Sequence, residues 1–200
     1  MSSVAPPGRG PKVRAAVLDA AVRELGEQGY AAFNVENVAR RAGVHKTTVY
    51  RRWPERDALI ADALAESVTA EIPIPDTGSI DTDLRGLARS LVTWLKSPGG
   101  QAVLAVLLSE TAGSARPPDV VRHIFRDRIR QALPVVGRAV ERGELPANTD
   151  AAELVKALVA PIYFRTLITR EQVTDDTADS AARLALTGAR AGLFELPRDR

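Results

Sequence analysis

The run Lys46–Trp53, KTTVYRRW, gathers an amine, two hydroxyls, a phenol and two guanidiniums within eight residues of a 200-residue chain. If it is a helix with Val49 as its buried anchor, each residue turns the side-chain direction by about 100°. Trp53 then lies about 40° from Val49 on the same side, while Thr47 and Arg51 lie about 160° away and point outward. Thr48 and Tyr50 fall on the flanks. A face of this kind can hydrogen-bond phosphate oxygens and reach base edges in a major groove. Thr47 and Arg51 are best placed for bases, and Lys46, Tyr50, Arg52 and the nearby Arg56 for phosphates. The rest of the chain offers little other chemistry. It has no cysteine and only two histidines, His45 and His123, so thiolate sites, cysteine nucleophiles and multi-histidine metal sites are excluded.

The elements that must hold this face read as helices. Residues 12–28 carry an apolar stripe at Leu18, Ala21, Val22 and Leu25 and stop at Gly29. Asn34 is a good N-cap for a short helix with inner face Val35, Val38, Ala39 and Ala42, ended by Gly43, and its amide can also meet phosphate. A tight turn at Ala42-Gly43-Val44 leads into the helix from Lys46, and Pro54 suits the first turn of the next. After a junction at 72–80, helices are expected over 81–96, 101–111, 119–141 (bent or broken at Pro134), 150–169 and 176–192. Pro98-Gly99-Gly100, Pro117-Pro118 and 143–149 would separate them. No stretch alternates long enough to be a strand. The expected fold class is all-α, with about nine helices.

Charge is uneven along the chain. Overall it is +2, but the residues through Arg56 sum to +5, leaving −3 for the remainder. A basic front suits a polyanion, and Arg9, Lys12 and Arg14 can add salt-dependent affinity or reach a minor groove. No apolar run approaches the ~18 residues of a membrane span, so no membrane partner is expected. The lack of cysteine fits a reducing cytoplasm. No cofactor is implied.

The run ARRAGVHKTTVYRRWPERDAL resembles the DNA-binding half of the tetracycline-repressor (TetR) family. Ala39, Ala42, Gly43, Val44, Thr48, Val49, Tyr50, Arg52, Trp53 and Leu59 meet the family pattern position by position. His45 stands where the family usually has Ser, within reach of phosphate, and Arg56 where it usually has Lys. Residues 1–11, rich in Pro and Gly, read as a flexible arm; the resemblance implies a helix-turn-helix DNA-binding domain over 12–56 and a ligand-binding and dimerisation domain over 57–200. The helix at about 55–70 would connect the two domains. It further implies a homodimer on near-palindromic double-stranded operator DNA, read here as a repressor released by a small-molecule effector. Two rivals stand beside it: a helical enzyme or carrier without DNA binding, and a DNA binder with no ligand.

In the second half, Trp94, His123, Phe125, Tyr163 and Phe164 stand out among Ala, Val and Leu. They read either as a cavity lining, with Leu107 from the apolar row 103–108, or as ordinary core. Arg165 is either a snorkelling surface residue or an anchor for an acidic ligand. Small residues at Ala181, Ala185 and Gly188, beside Leu184, allow close helix approach, and Val155, Leu158, Val159 and Ile162 face them from the other long helix. In the family these two helices form a four-helix bundle with the second subunit, and the same interface is expected here.

Overall fold

The structure is a computed structural model and describes residues 9–109 and 119–196. Among these residues are nine α-helices: α1 Arg9–Ala32, α2 Val35–Arg41, α3 Lys46–Arg52, α4 Arg56–Glu71, α5 Ile80–Leu95, α6 Pro98–Ser109, α7 Asp119–Glu141, α8 Ala151–Phe164 and α9 Asp175–Arg190. The single bridge of extended backbone among them joins Thr149 to Glu195. The expected all-α class holds. Residues 1–8 of the expected arm, the end of the helix expected over 101–111 and the Pro117-Pro118 separator lie outside the described residues. Residues 9–11, expected in the arm, form the first turn of α1.

Two compact units are present, and they do not follow chain order. The first gathers the chain through Val68 with Ser97–Ile124; the second gathers Thr69–Lys96 with the chain from Phe125. Helix α4 therefore passes from one unit into the other at Val68, and α7 does so at Ile124.

In the first unit, α1 packs on α2 and on α6. Its stripe Leu18, Ala21, Val22 and Leu25 is buried, as the spacing predicts, and Val17 is buried beside it. Gly29 interrupts the helix with φ 72° and ψ 174°, after which a short turn continues to Ala32. Pro98-Gly99-Gly100, expected as a separator, instead opens α6. Proline at the first helical position gives up only an N–H that has no helical partner there, and the Ser97 hydroxyl accepts the Gly100 N–H at 3.3 Å.

The second unit is built on α5, α8 and α9, which pack on one another. Helix α7, expected to bend or break at Pro134, runs through it as one helix. Pro134 is exposed, so water can satisfy the carbonyl that loses its partner. The helix expected over 150–169 changes gauge at its end: after Phe164 the backbone widens into a π-helical turn, Arg165–Thr169, closed by Arg170 at φ 56°.

Polar anchors fix the start of α5. Buried Asp83 accepts from the Thr77 N–H at 2.8 Å and the Thr77 hydroxyl at 2.7 Å. Glu144 accepts the Ile80 N–H at 2.8 Å; that bond and Arg142 hold its carboxyl below the usual carboxylate range. Arg89 on α5 forks onto Asp179 of α9 through bonds of 2.8 and 2.7 Å and lowers the Asp179 pKa.

A group whose folded pKa is depressed stabilises the fold above its unfolded pKa, about 3.9 for Asp, and loses that contribution as pH falls through the folded value. Urea unfolding should therefore show wild type ahead of Asp179→Asn at pH 7, with the gap closing below about pH 4. A gap that is constant with pH would mean that the fork carries no charge-dependent stability.

Candidate nucleic-acid interface

Two caps and one turn set the geometry of α2 and α3. Asn34 Oδ1 accepts from the N–H groups of Glu36 at 2.8 Å and Asn37 at 3.2 Å, the side-chain cap the sequence predicts, worth about 1 kcal/mol. At the other end of α2, Gly43 takes φ 66°. Its N–H reaches the Arg40 carbonyl at 3.2 Å and the Val44 N–H reaches the Ala39 carbonyl at 3.0 Å. This is a Schellman closure, and its left-handed residue favours glycine. His45 precedes α3 in extended conformation without a side-chain cap bond, and its Nδ1 lies 3.4 Å from the Thr47 hydroxyl.

The roll of α3 follows the predicted angles. Val49 is fully buried and Trp53 nearly so, while Lys46, Thr47, Arg51 and Arg52 are exposed and Thr48 is half-buried. Turning Val49 outward would forfeit about 1.5–3 kcal/mol of burial, so the roll is well determined. Tyr50 is 40% exposed, and its hydroxyl makes a long contact of 3.4 Å to Glu36. Partial desolvation, helped by Glu36, raises its pKa further above neutrality, and the protonated phenol can donate. Among the described residues neither Arg51 nor Arg52 forms an ion pair; Arg52 lies over the Trp53 ring at 5.4 Å.

Arg56 is placed differently from these outward cations. Its guanidinium donates to the Tyr30 carbonyl and stacks 4.5 Å above the Tyr30 ring. Tyr30 in turn donates to Asp57 at 2.9 Å. Farther along α4, Asp62 accepts the Trp53 indole N–H at 3.0 Å, and Arg14 of α1 pairs with Glu66. Helix α4 thus grips both ends of α1 and the end of α3.

Sequence reasoning missed Glu24. It is fully buried on α1, where Oε1 accepts from Asn37 Nδ2 at 2.8 Å and Oε2 lies 3.1 Å from Arg41 Nε. Arg41 also forks onto Glu27. This ion pair seats α2 on α1. The available signal was its position beside Leu25, within the apolar stripe.

Comparison with known proteins agrees with this geometry. Residues 17–63 match the bacterial regulatory proteins of the tetR family, and residues 74–185 match the tetracyclin repressor-like C-terminal domain. The chain belongs to the TetR family. It is 33% identical over 183 residues to the HTH-type transcriptional regulator AqdR of Rhodococcus erythropolis, covering 90% of this chain and 86% of that one. It is 32% identical over 150 residues to the DNA-binding transcriptional repressor TetR of Mycobacteroides abscessus, covering 71% and 75%. The crystal structure of another TetR family transcription regulator superposes with a TM-score of 0.72 at 31% identity, covering 88% of this chain and 98% of that one. This TetR-family chain is a DNA-binding transcriptional regulator and not an enzyme. No described helix is long and apolar enough to cross a membrane.

The second-half candidates of this TetR-family protein divide between the two units. Leu107 and His123 belong to the first unit; Trp94, Phe125, Tyr163, Phe164 and Arg165 belong to the second. Phe125 and Tyr163 meet edge to face at 5.3 Å. Burial pushes the Tyr163 phenol up while Arg128 pulls it down, and Arg128 is itself lowered by desolvation. Trp94 is 2% exposed with its indole N–H unpartnered among the described residues. Phe164 is exposed, and Arg165 lies 3.5 Å from Glu171. Of the small-residue stripe, Ala181, Ala185 and Gly188 are buried within their own unit, as are Val155, Leu158 and Ile162. A methyl at Gly188 would stand 3.1 Å from the Phe194 ring. Leu184 is 65% exposed, and Val159 is half-buried.

Proposed function

We propose that this protein is a homodimeric, ligand-released repressor in which each subunit lays α3 in one major groove of a near-palindromic operator. The observation that carries the reading is the outward face of α3: Thr47 and Arg51 exposed opposite buried Val49, with no described carboxylate neutralising Arg51 or Arg52. Lys46, Tyr50 and Arg52 take phosphates, Thr47, Thr48 and Arg51 take bases, and Asn34 and His45 flank them. Arg56 serves DNA indirectly, by locking α4 to Tyr30. The Mycobacteroides abscessus relative is named a repressor.

Residues 12–56 carry the reading helices, and the effector and second-subunit sites lie within 57–200. Exposed Phe164, Ile168, Leu184, Leu193 and Leu196 give the α8–α9 region an apolar surface that a second subunit would cover. The dimer fixes the separation of the two reading helices at one helical turn, about 34–36 Å, or a multiple of it. An effector in the second half would displace α4, and with it Trp53 through Asp62. Near-complete release needs a preference of about 5 kcal/mol for the non-binding state.

Retardation of DNA flanking the protein's own locus, over a range of salt, tests the reading. Lys46→Ala should shallow the slope of log affinity against log salt by about one per subunit. Absence of retardation at physiological salt, or an unchanged slope, would remove α3 from the interface.

A further inference from the structure

A cavity of about 250 Å³ lies within the first unit, lined by Gly10, Val13, Arg14 and Val17 of α1, Thr48, Arg51 and Arg52 of α3, and Trp53. Its lining combines apolar Val13, Val17 and indole surface with three guanidiniums and one hydroxyl. The guanidiniums differ in commitment: Arg14 is neutralised by Glu66, while Arg51 and Arg52 form no ion pair among the described residues. The Trp53 N–H is satisfied by Asp62 at 3.0 Å, so the indole offers the cavity only the part of its ring that Arg52, 5.4 Å from the centroid, leaves uncovered. We infer that this cavity is a small-molecule site for a compact aromatic anion, an arylcarboxylate or arylsulfonate whose ring lies on Val13, Val17 and Trp53 and whose charge meets Arg51 and Arg52.

The inference goes beyond the proposed function, because it places a ligand on the reading head rather than in the second half. Its consequence is direct competition. An anion on Arg51 and Arg52 occupies the groups that would face the duplex, so the head itself becomes sensitive to such solutes without any movement of α4. Charge and shape both enter the selectivity. A neutral ring of equal size lacks the charge-assisted hydrogen bonds, and an inorganic anion lacks the apolar contact.

Equilibrium dialysis of the full chain against naphthalene-2-sulfonate, with naphthalene-2-methanol as the neutral counterpart and sulfate as the ringless one, tests this without DNA. The sulfonate should bind at least about tenfold more tightly than either counterpart, a margin one charge-assisted bond can supply. Val13→Phe, which fills the cavity, should abolish binding. Arg51→Ala and Arg52→Ala should each weaken it about tenfold; Arg51→Ala, at an exposed position without an ion pair among the described residues, should also leave the unfolding midpoint unchanged. Equal binding of the neutral ring, binding unaltered in the two arginine variants, or no binding at millimolar sulfonate would each overturn the site. Because the readout is the probe itself, failure of operator retardation would sink the proposed function and leave this result standing.

Discussion

Replacing Arg41 by methionine should destabilise the protein by about 3 kcal/mol, the lower end of the ~3–5 kcal/mol seen when one member of a buried ion pair is removed. The cause is the carboxylate left behind. Glu24 is fully buried, and without Arg41 its only described partner is the Asn37 amide at 2.8 Å. The lower end applies because Arg41 is 32% exposed and Asn37 still donates. Glu24→Gln should cost less than Arg41→Met, since an amide oxygen can still accept from Asn37 and no naked charge remains. The double variant should recover part of the loss, and that recovery separates a paired charge from simple packing. Urea unfolding at pH 7 measures all three. An Arg41→Met protein within about 0.5 kcal/mol of wild type, the range of ordinary surface changes, would show that water relieves Glu24.

The second large effect falls on DNA. Arg51→Ala should cost about 1–3 kcal/mol for each base that its guanidinium no longer grips in bidentate fashion, hence about 2–6 kcal/mol when both subunits of the proposed dimer carry the change. The protein itself should be as stable as before, because Arg51 is exposed and forms no ion pair among the described residues. The weakening should be largest on the preferred operator and small on unrelated duplex, which distinguishes base reading from charge removal. Arg23→Ala serves as a control. Arg23 pairs with Asp19 on an exposed face of α1 and should leave operator affinity unchanged. Equal weakening in the two variants would mean that α3 contributes charge alone.

Most of the reading head was legible from local rules. Asn34 and Gly43 sit where side-chain capping and a left-handed turn demand them, and one buried valine fixes the roll of α3. These are decisions made within a few residues, so spacing reveals them. The misses are tertiary. Glu24 reads as one more surface acid until α2 is known to bring Asn37 and Arg41 against it. Arg56 reads as a free cation until Tyr30 is found beside it. Pro98-Gly99-Gly100 reads as a break, because the rule that favours proline at a helix start needs the start to be known.

The stripe of small residues on α9 shows what spacing by itself leaves open. Ala181, Ala185 and Gly188 do allow close approach, but within the same unit, and spacing cannot say which helix arrives. The exposed large apolar residue of α9 is Leu184, which the spacing argument treated as a companion of the stripe. Phe164, read either as a cavity lining or as ordinary core, stands exposed.

The docking of α6 on α1 has a consequence for biosynthesis. The first unit is not contiguous: its helices through Val68 wait for a segment that begins at Ser97 and includes α6, which ends at Ser109. At about 5–20 residues per second, the ribosome needs roughly two to eight seconds to supply the chain from residue 69 through the end of α6. During that interval the α1 surface that receives α6 is uncovered on the nascent chain. An N-terminal fragment cut after α4 would keep that surface bare permanently, so the reading head is a product of the longer polypeptide rather than a detachable module.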